Sequence, residues 1–303
     1  MGLTTEAFAA EVQSALFSKA KDSLLRTMAD KSAWAEHNYI NLAQAGAQPT
    51  VVVIDGSTFP LTVVRRTDTN KRVELKGYTT TAQVVGDFEQ LFLSYNKKED
   101  MLNAQAESLL DYMIKDAVFL VSPEGESSTT PILEASGDED EHVTYNKLTL
   151  NDIYRMQEKF DSLNIPANDR YLLLHGTHKR NLMEAGVNLY KDAIVDVNGV
   201  LRTVIAGFTI VPESLDGYLP KYSALNAKLA LDATPNPATD RIASICYSKS
   251  MVAHAMGSVN VVEQEGKVTH DGDLFRTWGH GLAFRLRSDN RGVGAIVSPN
   301  TTP

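Results

Sequence analysis

NKKEDMLNAQAESLLDYMIKDAVFLV, residues 96–121, carries apolar side chains at Met101, Leu102, Ala106, Leu109, Leu110, Met113, Ile114, Ala117, Val118 and Leu120. They recur every three to four residues, the period of one helical face. Neither Gly nor Pro interrupts the run. Asn96 stands where a cap is needed, with Glu99 three residues on and Asp100 near the positive end of the helix dipole. Pro123 and Gly125 follow the end. The pattern predicts one long helix that spans most of a domain. What precedes it reads as a long extended segment rather than a compact fold, and that pairing bears on function.

Upstream, residues 4–29 read as a helix, with Phe8, Val12, Leu16, Ala20, Leu24 and Met28 spaced by four and Thr4 or Thr5 as cap. Such a stripe either packs on its own core or docks as an arm on a neighbouring chain. Residues 30–50 are Ala-rich and mixed, broken at Gly46 and Pro49. VVVIDGSTFPLTVVRR (51–66) is β-branched and reads as a strand broken at Gly56 and Pro60. TDTNKR (67–72) is a polar turn cluster, and alternation resumes through Val73, Leu75 and Tyr78. Residues 51–85 therefore read as a long β-hairpin with a charged tip. Two strands are marginal alone in water, so this hairpin must lie on something.

Downstream, residues 122–148 form a polar insertion with four consecutive acids, Asp138 to Glu141, before His142. The spacing of a calcium loop is missing, which favours a solvated loop over a metal site. TLNDIYRMQEKFDSL (149–163) is a second helix, with Leu150, Ile153, Met156 or Gln157, Phe160 and Leu163 on one face. RYLLLHG is a short apolar strand ending at Gly176. THKRNLMEAG is a short helix capped by Thr177 and ended by Gly186. His175 and His178 sit at that turn, where a helix N-terminus can hold an anion, but GTHKRN lacks the glycine and Lys-Ser/Thr spacing of a phosphate loop. VLRTVIAGFTIVPES holds a strand pair around Gly207. LDGYLPKYSALN and TPNPATD are loops, and RIASICYSKSMVAHAMG is a strand running into a helix. VNVVEQ, LAFRLR and VGAIV are strands, with Asp289, Asn290 and Gly292 supplying a turn.

The bulk properties exclude several classes. With 303 residues the length prior is about two domains. A 43% hydrophobic, 22% charged chain can bury a sizeable core. A net charge of −9 argues against gripping nucleic acid over the whole surface. The single cysteine, Cys246, excludes a disulfide framework and a Cys-based zinc site, and a lone Cys in an apolar strand reads as an inert core residue. The N-terminus is acidic where a signal peptide is basic, and Glu6 breaks the myristoylation pattern. No apolar run approaches membrane-spanning length. Ser248-Lys249-Ser250 lacks nucleophile-elbow glycines. Asp271 and Asp273, near His270 and His280, are the one group an α/β enzyme reading has to work with. A polar loop between strands is the favoured account of them.

The order of elements resembles the major capsid protein of tailed bacteriophages, the Hong Kong 97-type fold. The resemblance rests on an N-terminal arm, a long hairpin, a long helix and a second helix, followed by IPANDRYLLLHGTHKRNLM, IAGFTIVPES, SICYSKSMVAHAMG and the closing RSDNRGVGAIV. It covers nearly the whole chain in element order, while its individual motifs are degenerate. It implies an α+β fold with the arm at 1–50, the extended hairpin loop at 51–87, a peripheral domain at 88–186 to which 259–303 return, and an axial domain at 187–258. It also implies a chain that self-assembles as hexamers and pentamers into an icosahedral shell around double-stranded DNA, without sequence-specific contacts, cofactor, metal, catalytic residue or membrane. A portal protein is the implied partner. No long charged leader precedes the arm, so a separate scaffolding protein is expected as well. The inter-subunit contacts expected from this reading are Phe8, Val12 and Leu16 on the arm and Asp68, Lys71 and Arg72 on the hairpin. Lys71 and Lys76 are the hairpin lysines that a subunit crosslink of the kind some members make would use. An encapsulin-type shell around protein cargo is the same fold with different contents.

Overall fold

The computed structural model describes residues 24–35, 39–44, 51, 65–85, 97–186, 193–195, 201–211, 215–234, 236, 239–264 and 273–300. Its first half runs β1 (Ala29–Asp30), β2 (Tyr39–Gln44), β3 (Thr69–Glu74), β4 (Lys76–Thr79), β5 (Gln83–Val85), α1 (Lys97–Val121), β6 (Ile132–Glu134), α2 (Leu150–Ser162), β7 (Arg170–Leu173) and α3 (Gly176–Glu184). Strands follow: β8 (Ala193–Val195), β9 (Leu201–Ile205), β10 (Phe208–Ile210), β11 (Ile242–Ser248), β12 (Val252–Gln264), β13 (Asp273–Arg285) and β14 (Val293–Ser298).

The long helix is present as the apolar period requires. Leu102, Ala106, Leu109, Leu110, Met113, Ala117, Val118 and Val121 are buried along one face of α1. That face lies chiefly on β13, in a sheet ordered β1-β12-β13-β4 with β5 also pairing β13. At Gly281 of β13 an added Cβ would meet only the end of the flexible Met113 side chain, which lies over the strand there.

The second sheet has seven strands in the order β6-β14-β11-β7-β10-β9-β8. Every residue of β11 and β14 is buried, as expected of central strands covered on both faces. Period-two alternation divides them. Tyr171, Leu173, Ile245, Tyr247, Ala295 and Val297 join the α1 core. Leu172, Cys246 and Ile296 face Ile153, Met156 and Phe160 of α2. Helix α2 starts on a capping box formed by Thr149 and Asp152. Asn290 (φ 55°) and Gly292 (φ 94°) make the turn into β14.

Several expectations are corrected. Residues 67–72 are not a turn: β3 pairs antiparallel with β2, from Tyr39 opposite Glu74 to Gln44 opposite Thr69. Burial of Ile40 and Leu42 fixes that register and overrides the poor strand propensity of Thr69-Asn70-Lys71. The hairpin's first described strand therefore lies within the stretch assigned to the arm. MVAHAMG is not a helix but the start of β12, held by its register with β13. Of the helix read over residues 4–29, residues 4–23 fall outside the described residues, and Leu24–Thr27 form a single 3-10 turn followed by β1, because Leu24, Leu25 and Met28 are drawn under α1. Helix α3 is capped by His175, whose Nδ1 accepts from the Thr177 amide at 3.2 Å, not by Thr177. The seven-stranded sheet also joins residues 132–134 and 170–173 to strands from 193–248, so the boundary at residue 186 crosses a sheet.

Gly294 of β14 gives a stability prediction. A Cβ there would sit 3.1 Å from Met156 Sδ, Phe160 Cε2 and the Pro131 carbonyl oxygen. Gly294→Ala overpacks the β14–α2 contact and is expected to lower unfolding stability by about 1–3 kcal/mol. Denaturant titration checks it, and an unchanged midpoint would show that α2 gives way freely.

Candidate functional site

Helix α1 buries two polar side chains within its apolar face, Gln105 (4% exposed) and Asp116 (3%). Eleven residues apart, they point within about 20° of each other and lie about 16 Å apart along the axis. Across from them run β4 and β5, and this return strand of the hairpin meets the helix at both polar residues, Tyr78 at Asp116 and Gln83 at Gln105.

At one end, Lys76 Nζ donates to both oxygens of Asp116, at 2.9 and 3.1 Å, and the Tyr78 hydroxyl donates to Oδ2 at 2.6 Å. At the other, the Gln105 amide is fully used. Its Nε2 donates to Gln83 Oε1 (3.1 Å) and to the Phe275 carbonyl (3.3 Å), and its Oε1 accepts from Thr80 (3.3 Å) and Thr277 (3.1 Å). A buried carboxylate stripped of its partners costs about 3–5 kcal/mol, so the Asp116 group holds only while β4 lies on the helix. Burial, then the bond to Asp116, pushes the Tyr78 phenol well above its usual range. Tyr78 meets Tyr112 edge to face at 6.1 Å. Between the strand and the helix lies a cleft of about 560 Å³ lined by Thr79, Thr81, Ala104, Ser108 and Leu109.

The C-terminal end of α1 is fastened by a cation. Lys228 Nζ donates to the carbonyls of Phe119 (2.8 Å) and Ser122 (3.2 Å) and to Glu124 Oε1 (2.7 Å), which Arg285 also reaches at 3.1 Å. A cation on the last carbonyls of a helix satisfies orphan acceptors and complements the dipole. The ammonium is buried, which lowers its pKa.

Among the described residues, most groups that invite a catalytic reading are taken up by contacts within the fold. His178 is wholly buried, its Nδ1 bonded to Ser244 Oγ at 2.6 Å and its Nε2 to Ser298 Oγ at 2.7 Å. The bonds tie α3 to β11 and β14 and leave no face for a substrate. The α3 N-terminus is filled by the chain itself, since the Gly176 amide donates to Asp216 at 2.5 Å. Cys246 is buried, and burial raises its thiol pKa away from reactivity. Asp140 of the acidic run is buried and paired with Arg180 rather than solvated. Asp273 and His280 lie seven residues apart on one extended strand, about 23 Å, and so do not meet. His270 and Asp271 fall outside the described residues.

Of the expected contact residues, Phe8, Val12 and Leu16 fall outside the described residues. Asp68, Lys71 and Arg72 lie on or beside β3. Asp68 pairs with Arg66, Lys71 Nζ donates to the Arg285 carbonyl at 3.0 Å, and Arg72 stacks over Tyr39 at 4.1 Å. Sequence reasoning passed over Gln105 and Asp116. Their signal was two polar residues inside an otherwise apolar stripe, three turns apart.

No protein-family profile matches the sequence, and a search of curated proteins finds no match. Solved structures do match. The capsid of cyanophage P-SCSP1u aligns at TM-score 0.63 and 14% identity over 89% of this chain and 86% of its own. The capsid of Ralstonia phage GP4 aligns at 0.60 and 8% over 91% and 88%. The SrpI encapsulin of Synechococcus elongatus PCC 7942 aligns at 0.55 and 11% over 92% and 88%. The neighbours are mostly tailed-phage capsids, and the chain has the Hong Kong 97-type fold.

The buried His178 gives a pH prediction. Burial first, and then neighbouring His175, lower its pKa from 6.5 to about 3, against an opposing pull from Asp152. Below pH 6.5 the unfolded chain takes a proton that the folded chain refuses. The stabilisation is complete above pH 6.5 and lost as pH falls towards 3, by up to about 1.4 kcal/mol per unit. His178→Gln, which keeps hydrogen-bonding capacity without the titration, is expected to flatten the acid limb in urea unfolding between pH 6.5 and 4. An acid limb identical to wild type would contradict this.

Proposed function

We propose that this chain is the major coat protein of a tailed bacteriophage, assembling into an icosahedral shell around double-stranded DNA. The observation that carries the reading is the match of about nine-tenths of the chain, in both directions, to phage capsid subunits. The role is structural rather than catalytic. Copies of the chain assemble as hexamers and pentamers, with a scaffolding protein to guide closure and a portal protein at one vertex. DNA is held without sequence-specific contacts, which suits a chain of net charge −9. The location is the virion, after assembly in the host bacterial cytoplasm.

A closed shell needs lateral contacts that repeat by symmetry, and many modest contacts sum through multivalency. In this reading residues 1–38 are the arm, and the hairpin from residue 39 to residue 85 reaches a neighbour. Helix α1 with the β1-β12-β13-β4 sheet is the peripheral domain, and the seven-stranded sheet with α2 and α3 is the axial domain. Asp68, Lys71 and Arg72, together with Phe8, Val12 and Leu16, make the inter-subunit contacts, with Asp68 and Arg72 exposed and Lys71 also bonded to the Arg285 carbonyl.

The encapsulin reading is favoured by one specific likeness, the match to the Synechococcus shell over 92% of the chain. Sedimentation and negative-stain microscopy of the expressed chain test the shell, and the contents decide between readings. Nuclease-protected DNA in particles made in the presence of portal and packaging proteins supports the phage coat, whereas a protein cargo supports the encapsulin. A chain that stays small with candidate scaffolds present contradicts both. The double variant Asp68→Ala, Arg72→Ala is expected to keep the wild-type melting temperature within about 2 °C and to lose most of the sedimenting fraction, since exposed ion pairs add little to folding stability. Unchanged assembly would remove these residues from the interface.

A further inference from the structure

Strands β3 and β4 are one residue apart, yet β3 pairs with β2 in a separate two-stranded sheet while β4 pairs with β13. Leu75 is therefore the bend between the two sheets, with Lys76 the first residue after it, while Ile40 and Leu42 of β2 still pack on Ala253, Ala255 and Phe284 of the body. We propose that Asp116 is a positioning residue that bolts this bend to the long helix through Lys76 and Tyr78, so that α1 and the hairpin root move as one body and the hairpin departs at a fixed angle.

Three features carry this. First, the Asp116 side chain is 5% exposed, and its three donor bonds all come from β4. Swinging the strand away would strand a buried carboxylate, which adds a steep penalty to the apolar packing of Ile40 and Leu42 on Ala253, Ala255 and Phe284. Second, the four-residue ladder of β4 with β13 is all the backbone pairing the strand has among the described residues. Third, the hairpin base is tied on the other side of Leu75 by Lys71 Nζ to the Arg285 carbonyl and by Gln44 Nε2 to the Leu286 carbonyl, at 3.0 and 2.8 Å. The bend is pinned on both sides, and Asp116 supplies the only one of these pins that is a buried charge. In assembled copies the departure angle sets where each hairpin meets its neighbour, and so the curvature of the wall. Only this assembly consequence rests on the shell reading.

The test uses the full chain with Asp116→Asn, Lys76→Met, the double variant and the control Gly294→Ala, which overpacks the α2 contact far from the bend. Hydrogen exchange is read over residues 76–79, and particle diameter is read by microscopy. Asp116→Asn and Lys76→Met are each expected to raise exchange at 76–79 about tenfold and to broaden the diameters, with the double variant no worse than the stronger single. The control is expected to change neither. Wild-type exchange in Asp116→Asn, strictly additive effects in the double variant, or an equal response from the control would overturn the proposal. Should Asp116→Asn fail to fold, Lys76→Met decides, because Lys76 is half exposed and Tyr78 still holds the carboxylate. If wild type forms no particles, the shell reading fails on its own while the exchange result still settles the bolt.

Discussion

A 25-residue helix with a continuous apolar face cannot be left in water, and the rest of the chain is arranged to cover it. The cover is assembled from distant sequence. Leu24, Leu25 and Met28 come from the N-terminal side, Leu215, Leu219 and Tyr222 from a loop, and Val252, Met256 and Ala283 from the long strands. Tyr171, Ile245, Ala295 and Val297 come from the seven-stranded sheet. One helix thus joins the two sheets into a single core.

Within that apolar cover the polar exceptions have the most consequence. Apolar burial is non-directional and would tolerate a strand sliding along the helix. Gln105 and Asp116 do not tolerate it, because each is buried and each is satisfied only at one register of β4 and β5. Lys228 fixes the helix end in the same way. Hydrophobic packing holds the elements together, and three polar fastenings determine how they sit. Rigid departure of a hairpin from a rigid helix is what a subunit needs if its copies are to meet at repeated angles.

Much of the fold was legible in the sequence where one period dominated. Helices α1 and α2, strands β7, β11 and β14 and the turn at Gly207 follow directly from apolar spacing and turn residues. Failures came where partners, not local propensity, decide. Thr69-Asn70-Lys71 reads as a turn until Ile40 and Leu42 require a paired strand. VAHAMG alternates weakly enough to pass for helix until β13 is beside it. The site was the least legible part. Asp68, Lys71 and Arg72 stand out as charges, while the bond of Lys71 Nζ to the Arg285 carbonyl does not. Asp116 looks like one more acid on a helix, because the strand that buries it lies 38 residues earlier in the chain. Pairing across such distances leaves no local mark in one sequence.

Cryo-electron microscopy of particles formed by the full chain tests the central claim most directly. The account predicts a closed shell of repeated subunits in which each hairpin lies over an adjacent copy while Lys76 and Tyr78 remain on Asp116 of their own helix. Closed particles with β4 lifted from α1, or subunits that meet without using the hairpin, would contradict it.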